Sequence, residues 1–296
     1  MELLQLKYFI KVAEMQHMTR AAQALMISQP ALSKSIHQLE EELGTALFER
    51  RGKNIFLTEN GRILLRRSYD LISLTDNIRD ELCDHGGAGQ PPLRLVVRGL
   101  SSLLPDLLLQ FHAAHPSVRY QVSQNDDLSL QNQQYDLMIS TSFLPSASSS
   151  CCQLLTEDIV VVCPQTHPLA AQGSASLAQI AAHPQIAIGH NRIISTFLQE
   201  CFLNAGLHPQ IAAECDDVLT IRNLVAAGMG VALLPRYALA PRDCTGLRLL
   251  PIAGGGLYRH VALSWKPDAY LSQSARLFQS FVVRYFEAFA RTREGS

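Results

Sequence analysis

Apolar residues recur at helical spacing between Ser28 and Gly44. Steps of four, three and four residues place four of them on one side of a helix, which predicts a stripe that faces a core. The stripe consists of Leu32, Ile36, Leu39 and Leu43. Ser28 is suited to cap the start of this helix, and Gly44 can take the left-handed conformation that ends it. We therefore expect an amphipathic helix with a polar outer face.

The segments on either side of this helix predict a compact local unit. Residues 19–25 predict a short preceding helix, and residues 47–50 and 55–57 predict two strands joined by a basic turn at 51–54. Two helices, a tight turn and such a hairpin are the parts of a winged helix-turn-helix, whose second helix enters the major groove of DNA. The same helical spacing also occurs in proteins that never bind DNA.

The side chains expected to contact DNA are polar, cationic or small and lie in the two helices and the hairpin. They are Thr19, Arg20, Ser28, Gln29, Pro30, Ser33, Lys34, His37, Arg50, Arg51 and Lys53. Cations contact phosphates and position the protein, whereas Gln29 and Ser33 would read base edges. Charge agrees with this interpretation, because residues 1–69 hold ten Lys/Arg against seven Asp/Glu although the whole chain has a net charge of -1.

A second apolar stripe follows a predicted long helix from Thr58, its expected N-cap, to about residue 84. Its members are Leu64, Leu71, Leu74, Ile78 and Leu82. The stripe is too long and narrow for a small winged domain to cover. It therefore predicts a dimerisation helix, which would place two recognition helices ~10 bp apart on a duplex. The alternative is a helix that packs within its own chain.

The pattern changes after residues 85–92, where Gly and Pro residues predict a flexible hinge. Strands then alternate with helices, which indicates a mainly parallel sheet covered by helices. The expected strands are 93–97, 118–122, 135–139, 159–163, 185–188, 211–214, 231–234 and 261–265, and the expected helices are 103–115, 195–205, 219–227 and 272–291. Crossovers near residues 164 and 266 would divide this half into two lobes around a cleft.

Several sequence blocks occur in a characteristic order. In the first half they are Leu6-Lys7-Tyr8-Phe9, Thr19-Arg20-Ala21-Ala22, Ser28-Gln29-Pro30-Ala31-Leu32-Ser33, Gln38-Leu39-Glu40-Glu41-Glu42-Leu43-Gly44, Leu47-Phe48-Glu49-Arg50 and Leu57-Thr58-Glu59-Asn60-Gly61. In the second half they are His167-Pro168-Leu169-Ala170 and the segment 224–235. Together they resemble the LysR-type bacterial transcriptional regulators, whose regulatory domain is similar to periplasmic solute-binding proteins.

The resemblance implies an α+β winged helix-turn-helix domain with a long linker helix, followed by a two-lobed α/β effector domain. The implied boundaries are 1–58 for the winged domain, 59–84 for the linker and dimerisation helix, 85–92 for the hinge and 93–296 for the effector domain. Lobe I would hold about 93–163 and 266–296, and lobe II about 164–265. The implied function is sequence-specific, effector-modulated transcriptional regulation by a homo-oligomer, a dimer or tetramer, with RNA polymerase as a further partner and no cofactor.

In open α/β folds, ligands lie beyond the carboxyl ends of strands and near helix N-termini. By this rule the expected effector contacts are Ser101, Ser102, Thr141, His190, Arg192, Ser195, Asp217 and Val218. Any one serine could instead cap a helix. Arg192 could pair with the carboxylate of an acidic effector, whereas Asp216 and Asp217 could cap the next helix or repel such a ligand.

Composition and cysteine usage restrict the class of protein further. A chain of 296 residues that is 47% hydrophobic and 17% charged is expected to be globular, with two or three domains. We expect a cytoplasmic protein, because there is no signal sequence pattern and no long apolar run. The seven cysteines show no metal-ligand spacing. Cys201 and Cys215 are either ordinary thiols or, as in the peroxide-sensing branch of the family, a redox pair.

Two other functions compete with a regulator. An α/β enzyme with a regulatory first domain would need a nucleophile elbow, a P-loop, a dinucleotide fingerprint or metal-ligand spacing, and the sequence contains none of these. Asp136, Asp158 and His167 have no recognisable nucleophile partner, so no enzymatic activity is expected. A solute-binding protein alone would not explain the winged domain.

Overall fold

The computed structural model describes residues 1–51, 54–86, 91–100, 102–124, 135–144, 150–189, 193–254, 256–267 and 269–294, with only the backbone for Arg50, Arg51, Asn54, Pro241 and 292–294. The chain divides into two compact units, residues 1–89 with 127–134 and residues 90–126 with 135–296. Each unit has its own buried core.

The first unit contains four helices and one hairpin in its described part. They are α1 (Leu3–Met15), α2 (Met18–Ala24), α3 (Gln29–Leu43), β1 (Phe48–Arg51), β2 (Asn54–Leu57) and α4 (Glu59–Gly86). Residues from all four helices and the hairpin enclose one core, which includes Phe9, Leu32, Leu39, Leu47 and Ile72. The winged helix-turn-helix pattern is therefore confirmed as a fold.

The local signals at the ends of α3 act as the sequence predicts. The Ser28 hydroxyl accepts a hydrogen bond from the amide of Ala31 at 3.3 Å, and Gly44 has φ +66°. Leu32, Ile36 and Leu39 are buried, as expected. Leu43 is 38% exposed, so the prediction that it completes the core stripe is wrong. It belongs to the last turn of the helix, where the chain turns away from the core at Gly44.

The helix α4 begins after Thr58, whose hydroxyl accepts from the amide of Gly61 at 3.0 Å and donates to the carbonyl of Ala46 at 2.8 Å. The predicted N-cap is thus confirmed, and it also joins the helix to the segment that leads into β1. The helix extends to Gly86, two residues beyond the predicted end. Of the predicted hinge, residues 87–90 lie outside the described residues.

The second unit begins with β3 (Leu93–Val97). Its further strands are β4 (Tyr120–Ser123), β5 (Leu137–Ser142), β6 (Cys151–Pro164), β7 (Gln185–Ile188), β8 (Ile211–Cys215), β9 (Ala232–Pro235), β10 (Leu247–Pro251) and β11 (Tyr258–Ser264). Its helices are α5 (Leu104–Ala114), α6 (Leu177–Ala181), α7 (Ile193–Asn204), α8 (Val218–Ala226) and α9 (Gln273–Glu294), with short 3-10 turns at Pro168–Ala171 and Pro241–Cys244. The expected elements are present, whereas α6 and β10 were not predicted.

The 14-residue strand β6 joins the two lobes of this unit. Its first half pairs with β11, which continues through β5 and β3 to β4 and forms the sheet of lobe I. From Ile159 onward its second half pairs with β9 and β10 in lobe II, where β7 and β8 form a separate parallel pair. One core lies in each lobe. The chain therefore passes between the lobes inside β6, not near the predicted residue 164.

One further expectation about this unit is wrong. The seven-stranded sheet is not mainly parallel in its described part, because β3 pairs in parallel with β4 and β5 whereas β11 pairs antiparallel with β5 and β6, and β6 pairs antiparallel with β9 and β10. Strand pairing depends on how distant segments return to the sheet, which local periodicity does not encode. The chain returns to lobe I at β11, which contains most of the expected strand 261–265 and pairs with β5 and β6.

Candidate nucleic-acid interface and ligand cleft

The outer face of α3 is open to solvent while its inner face is buried. Gln29, Lys34 and His37 are exposed and Ser33 is half-buried. The His37 Nε2 lies 3.3 Å from a carboxylate oxygen of Glu41, one turn further along the helix. A capped helix with short polar side chains near its start can approach base edges, and the Lys34 amine can approach a phosphate.

Several other predicted DNA contacts lie on α2 and at the start of α3. Thr19 and Arg20 lie exposed on α2, and Ser28 and Pro30 lie exposed at the start of α3. The His17 Nδ1 caps α2 by accepting from the amide of Arg20 at 3.4 Å. Arg51 pairs with Asn54 at the end of the hairpin. The side chains of Arg50 and Arg51, and the whole of Lys53, lie outside the described residues.

Glu40 links the recognition helix to the wing, and sequence reasoning gave it no role. One of its carboxylate oxygens accepts from the amides of Leu47 at 2.7 Å and Phe48 at 3.2 Å. The carboxylate thus satisfies two backbone donors where the chain enters β1. The wing is held at a defined position relative to α3, which an interface that uses both elements requires.

Four of the five residues predicted for dimerisation lie exposed on α4. Leu71, Leu74, Ile78 and Leu82 are 41–66% exposed. Leu64 instead packs against the core of its own unit. An exposed apolar stripe of this length is typical of a surface that another chain covers.

The residues predicted to contact an effector belong to both lobes of the second unit. Thr141 is half-buried near the carboxyl end of β5. Ser102 does not present a free hydroxyl, since it donates to the carbonyl of Tyr237 in lobe II. Ser195 is buried, with 7% of its surface exposed. Ser101, His190 and Arg192 lie outside the described residues.

Asp217 was expected either to cap α8 or to repel an acidic ligand, and in the structure it caps the helix. Its carboxylate accepts from the amide of Thr220 at 2.7 Å and from the Thr220 hydroxyl at 2.8 Å. Val218, the first residue of α8, is half-buried against the core of lobe II. A carboxylate at this helix N-terminus occupies the position that an anionic ligand would otherwise take.

A buried ion pair at the lobe junction was missed by sequence reasoning. Arg259 in β11 donates from Nε to Glu157 in β6 at 2.8 Å, with side-chain exposures of 6% and 0%. The same guanidinium donates to the carbonyl of Gly99 at 2.7 Å, and Glu157 accepts from the amide of Tyr237 at 2.6 Å. The two opposite charges neutralise each other. The hydrogen bonds that the pair makes to the backbone of Gly99 and Tyr237 hold a loop from each lobe.

An aromatic pair from the two lobes was also missed. Phe143 follows β5 in lobe I and Phe197 lies in α7 of lobe II, and their ring centroids are 3.8 Å apart with planes inclined by 10°. Both rings are half-buried. They are distant in sequence, and no local periodicity connects them.

The residues considered for other chemistry have structural partners. Asp136 accepts from the guanidinium of Arg94 at 2.6 Å, Asp158 lies 3.8 Å from Arg236, and the His167 Nδ1 accepts from the amide of Leu169 at 3.2 Å. Cys201 and Cys215 are free thiols. Burial raises the pKa of the Cys201 thiol and nearby Glu200 adds to the effect, which opposes formation of a reactive thiolate.

Among the described residues, no group of three or more His, Cys, Asp or Glu side chains is placed to hold a metal ion. No helix in the described ranges has the combination of length and apolar character needed to cross a membrane.

Comparison with known proteins gives two family matches that follow the two units. Residues 3–62 match the family described as "Bacterial regulatory helix-turn-helix protein, lysR family", and residues 87–287 match the "LysR substrate binding domain". The regulator YybE of Bacillus subtilis is 31% identical, covering 97% of this chain and 99% of its own. The transcriptional dual regulator GltC of the same organism is 30% identical, covering 97% and 98%.

Solved structures share the fold. Full-length OxyR from Pseudomonas aeruginosa has a TM-score of 0.68 at 24% identity, covering 95% of this chain and 94% of its own. CbnR in complex with its target DNA has a TM-score of 0.63 at 22% identity, covering 96% and 99%. The chain belongs to the lysR family and is a DNA-binding transcriptional regulator with a winged helix-turn-helix domain and a two-lobed effector domain.

Proposed function

We propose that this regulator recognises a promoter through the outer face of α3 and the wing, and that a small molecule in the cleft modulates the complex. The observation that carries the proposal is the division of α3 into a buried apolar face and an exposed polar one, with Gln29, Lys34 and His37 on the exposed side. Such a face is complementary to a major groove lined by base edges and phosphates.

Within this face, each residue type has a different expected role. Lys34 and Arg50 would neutralise phosphates, which every DNA sequence offers. Gln29 and Ser33 would contact base edges, which differ between sequences. The logarithm of the binding constant should then fall with the logarithm of salt concentration by roughly 0.9 for each phosphate neutralised.

Fluorescence anisotropy with the promoter fragment next to the gene and with an unrelated fragment tests these roles. Lys34→Ala should weaken binding to both fragments and reduce the salt slope. Gln29→Ala should mainly reduce the preference for the promoter, by about 1–3 kcal/mol if it contacts a base pair.

A matched control is Lys11→Ala on α1, where the lysine amine lies 2.7 Å from Glu14 and off the proposed face. This variant should bind like the wild type. Equal losses for Lys34→Ala and Gln29→Ala on both fragments would contradict the proposed division, and unchanged binding by both would remove α3 from the interface.

We further propose that the protein works in the cytoplasm as a homodimer joined along α4, that two dimers pair into a tetramer, and that RNA polymerase is a partner. The exposed stripe of Leu71, Leu74, Ile78 and Leu82 supports the dimer. The effector binds among the strand ends and helix starts at the lobe junction, and its binding shifts the population of subunit arrangements. No catalytic activity and no cofactor is part of this proposal, in which Asp136, Asp158 and His167 have structural roles.

A further inference from the structure

The base of the wing is held by hydrogen bonds from two directions. The amide of Leu47, just before β1, donates to a carboxylate oxygen of Glu40 at 2.7 Å, and the amide of Phe48 donates to the same oxygen at 3.2 Å. The Leu47 carbonyl accepts from the amide of Thr58, just after β2, at 2.9 Å. Both backbone groups of Leu47 are therefore bound, one by the recognition helix and one by the end of the hairpin.

The wing base is also attached by other contacts, which differ in kind from those of Glu40. The amide of Ile55 in β2 donates to the carbonyl of Gln16 at 3.2 Å, and Leu47 is buried in the same core as Leu32 of α3. Apolar contacts are non-directional, so packing alone permits small rotations. Hydrogen bonds weaken when the donor turns away from the acceptor. Glu40 therefore supplies a directional restraint between α3 and β1.

A small rotation at the base would move the far end of the wing by an amount that matters for DNA binding. The strand β1 has four residues, Phe48–Arg51. It therefore spans roughly 13 Å at about 3.3 Å per residue. A rotation of about 10° would displace its end by about 2 Å, which is enough to break a hydrogen bond to a phosphate. The cations of the wing are expected to contact phosphates there.

The charge of Glu40 is unsuited to direct contact with DNA. A carboxylate repels phosphates, and this one is half-buried and bound to the backbone of Leu47 and Phe48. Removal of a negative charge alone would strengthen DNA binding. A loss of affinity on substitution of Glu40 would therefore have the opposite sign from its electrostatic effect.

We propose that Glu40 is a positioning residue for DNA recognition, which fixes the wing at the angle where α3 and the wing contact one duplex at the same time. This inference deepens the proposed function and rests on it. Glu40 itself does not touch the DNA. Its substitution should release the phosphate contacts of the wing and leave the base contacts of α3 in place.

Fluorescence anisotropy of the full-length protein on the promoter fragment, at several salt concentrations, tests this role. Glu40→Ala should weaken binding by about tenfold and lower the salt slope by roughly 0.9 for each wing phosphate contact that is lost. Glu40→Gln should bind like the wild type, because its amide oxygen can accept from the same two amides. The matched control is Glu42→Ala, which removes the same charge from α3 at an exposed carboxylate paired with the N-terminal amine. It should not weaken binding.

A double-mutant cycle separates positioning of the wing from stability of the domain. Arg51→Ala should weaken promoter binding by about fivefold in the wild type and by less than about twofold in Glu40→Ala, where the wing contact is already lost. Gln29→Ala should reduce affinity by the same factor in both backgrounds. Glu40→Asp keeps the charge and shortens the side chain, so it should give the same pattern in milder form if Glu40→Ala does not fold.

The positioning role is overturned if Glu40→Ala binds with wild-type affinity. It is also overturned if Glu40→Ala weakens binding while the salt slope and the effect of Arg51→Ala stay unchanged, because Glu40 would then only stabilise the fold. Urea unfolding of each variant gives the folded fraction for this comparison. Unchanged binding by both Lys34→Ala and Gln29→Ala would instead remove α3 from the interface and overturn the proposed function itself.

Discussion

Two residues in the winged domain that are not glycine adopt a left-handed backbone. Gln16, at the end of α1, has φ +48° and Met26, between α2 and α3, has φ +56°. The Gln16 carbonyl accepts from the amide of Ile55 at 3.2 Å. This conformation costs roughly 1 kcal/mol or more for a residue with a Cβ atom, although Asn tolerates it better. The backbone conformation in the turn before the recognition helix is therefore energetically unfavourable, and packing elsewhere in the domain offsets this unfavourable free energy.

Met26→Asn should stabilise the protein by about 0.5–1 kcal/mol, because Met26 is 92% exposed and its side chain loses little packing. Urea unfolding measures the change. The control is Met15→Asn, at a 38% exposed position within α1, where Asn should destabilise because its helix propensity is lower. Destabilisation at both positions would mean that the conformation at Met26 has no appreciable cost.

For single residues, the sequence predicts roles that depend on neighbours along the chain. It does not predict contacts between residues that are far apart in the sequence. The capping roles of Ser28 and Gly44 follow from residue type and position, and both are confirmed. The pairing of Glu157 with Arg259 joins residues separated by 102 positions, and no local pattern relates them. The stack of Phe143 on Phe197 depends likewise on how two lobes meet. The predicted DNA and effector contacts stay predictions, since their roles depend on bound partners.

Among the elements, α4 and the segment before β1 approach each other closely. A Cβ atom placed on Gly61 would lie 2.1 Å from the carbonyl oxygen of Leu47. The amide of Thr58 donates to that same oxygen at 2.9 Å. Only a glycine permits this approach, so the start of the linker helix and the wing are held together by backbone contact.

Gly61→Ala should destabilise the winged domain by about 1–3 kcal/mol, since backbone must move to make room. Gly86→Ala on the same helix is the matched control, because a Cβ atom there meets nothing within 4 Å. In a helix this substitution should be stabilising by up to about 1 kcal/mol. Thermal unfolding compares the two variants. Stabilisation by both variants would show that helix propensity outweighs the clash at Gly61.

Element prediction succeeded where a pattern was one-sided or strongly apolar. The run 159–163 predicted the second half of β6, but the first half was missed because Gln153, Thr156 and Asp158 interrupt the apolar pattern. Polar side chains are tolerated at those positions because one face of the strand is partly exposed. The strand β10 is short and follows a 3-10 turn, so the sequence pattern that would predict a strand there is weak.

For the molecule as a whole, the exposed apolar stripe on α4 is the surface that the proposed dimer would cover. Leu74→Glu with Ile78→Glu should convert the proposed dimer to monomers, because two charges would be buried against apolar side chains. Sedimentation velocity at several concentrations measures this change. Promoter affinity should fall with it, since a dimer contacts two half-sites.

The control is Asn77→Glu, which adds one negative charge to α4 beside the stripe. It should leave the sedimentation profile unchanged. If the double variant sediments like the wild type while its helix content is retained, then α4 is not the dimer contact and the stripe serves another purpose.

The continuity of β6 through both lobes limits how this regulator can be recombined with others. A chimaera that exchanges lobe II for that of another family member must cut the strand, and the cut removes backbone partners from β11 on one side or from β9 and β10 on the other. Grafted lobes would need a half-strand of matching register. New ligand specificity is therefore more accessible by substituting residues at the lobe junction than by transplanting a lobe.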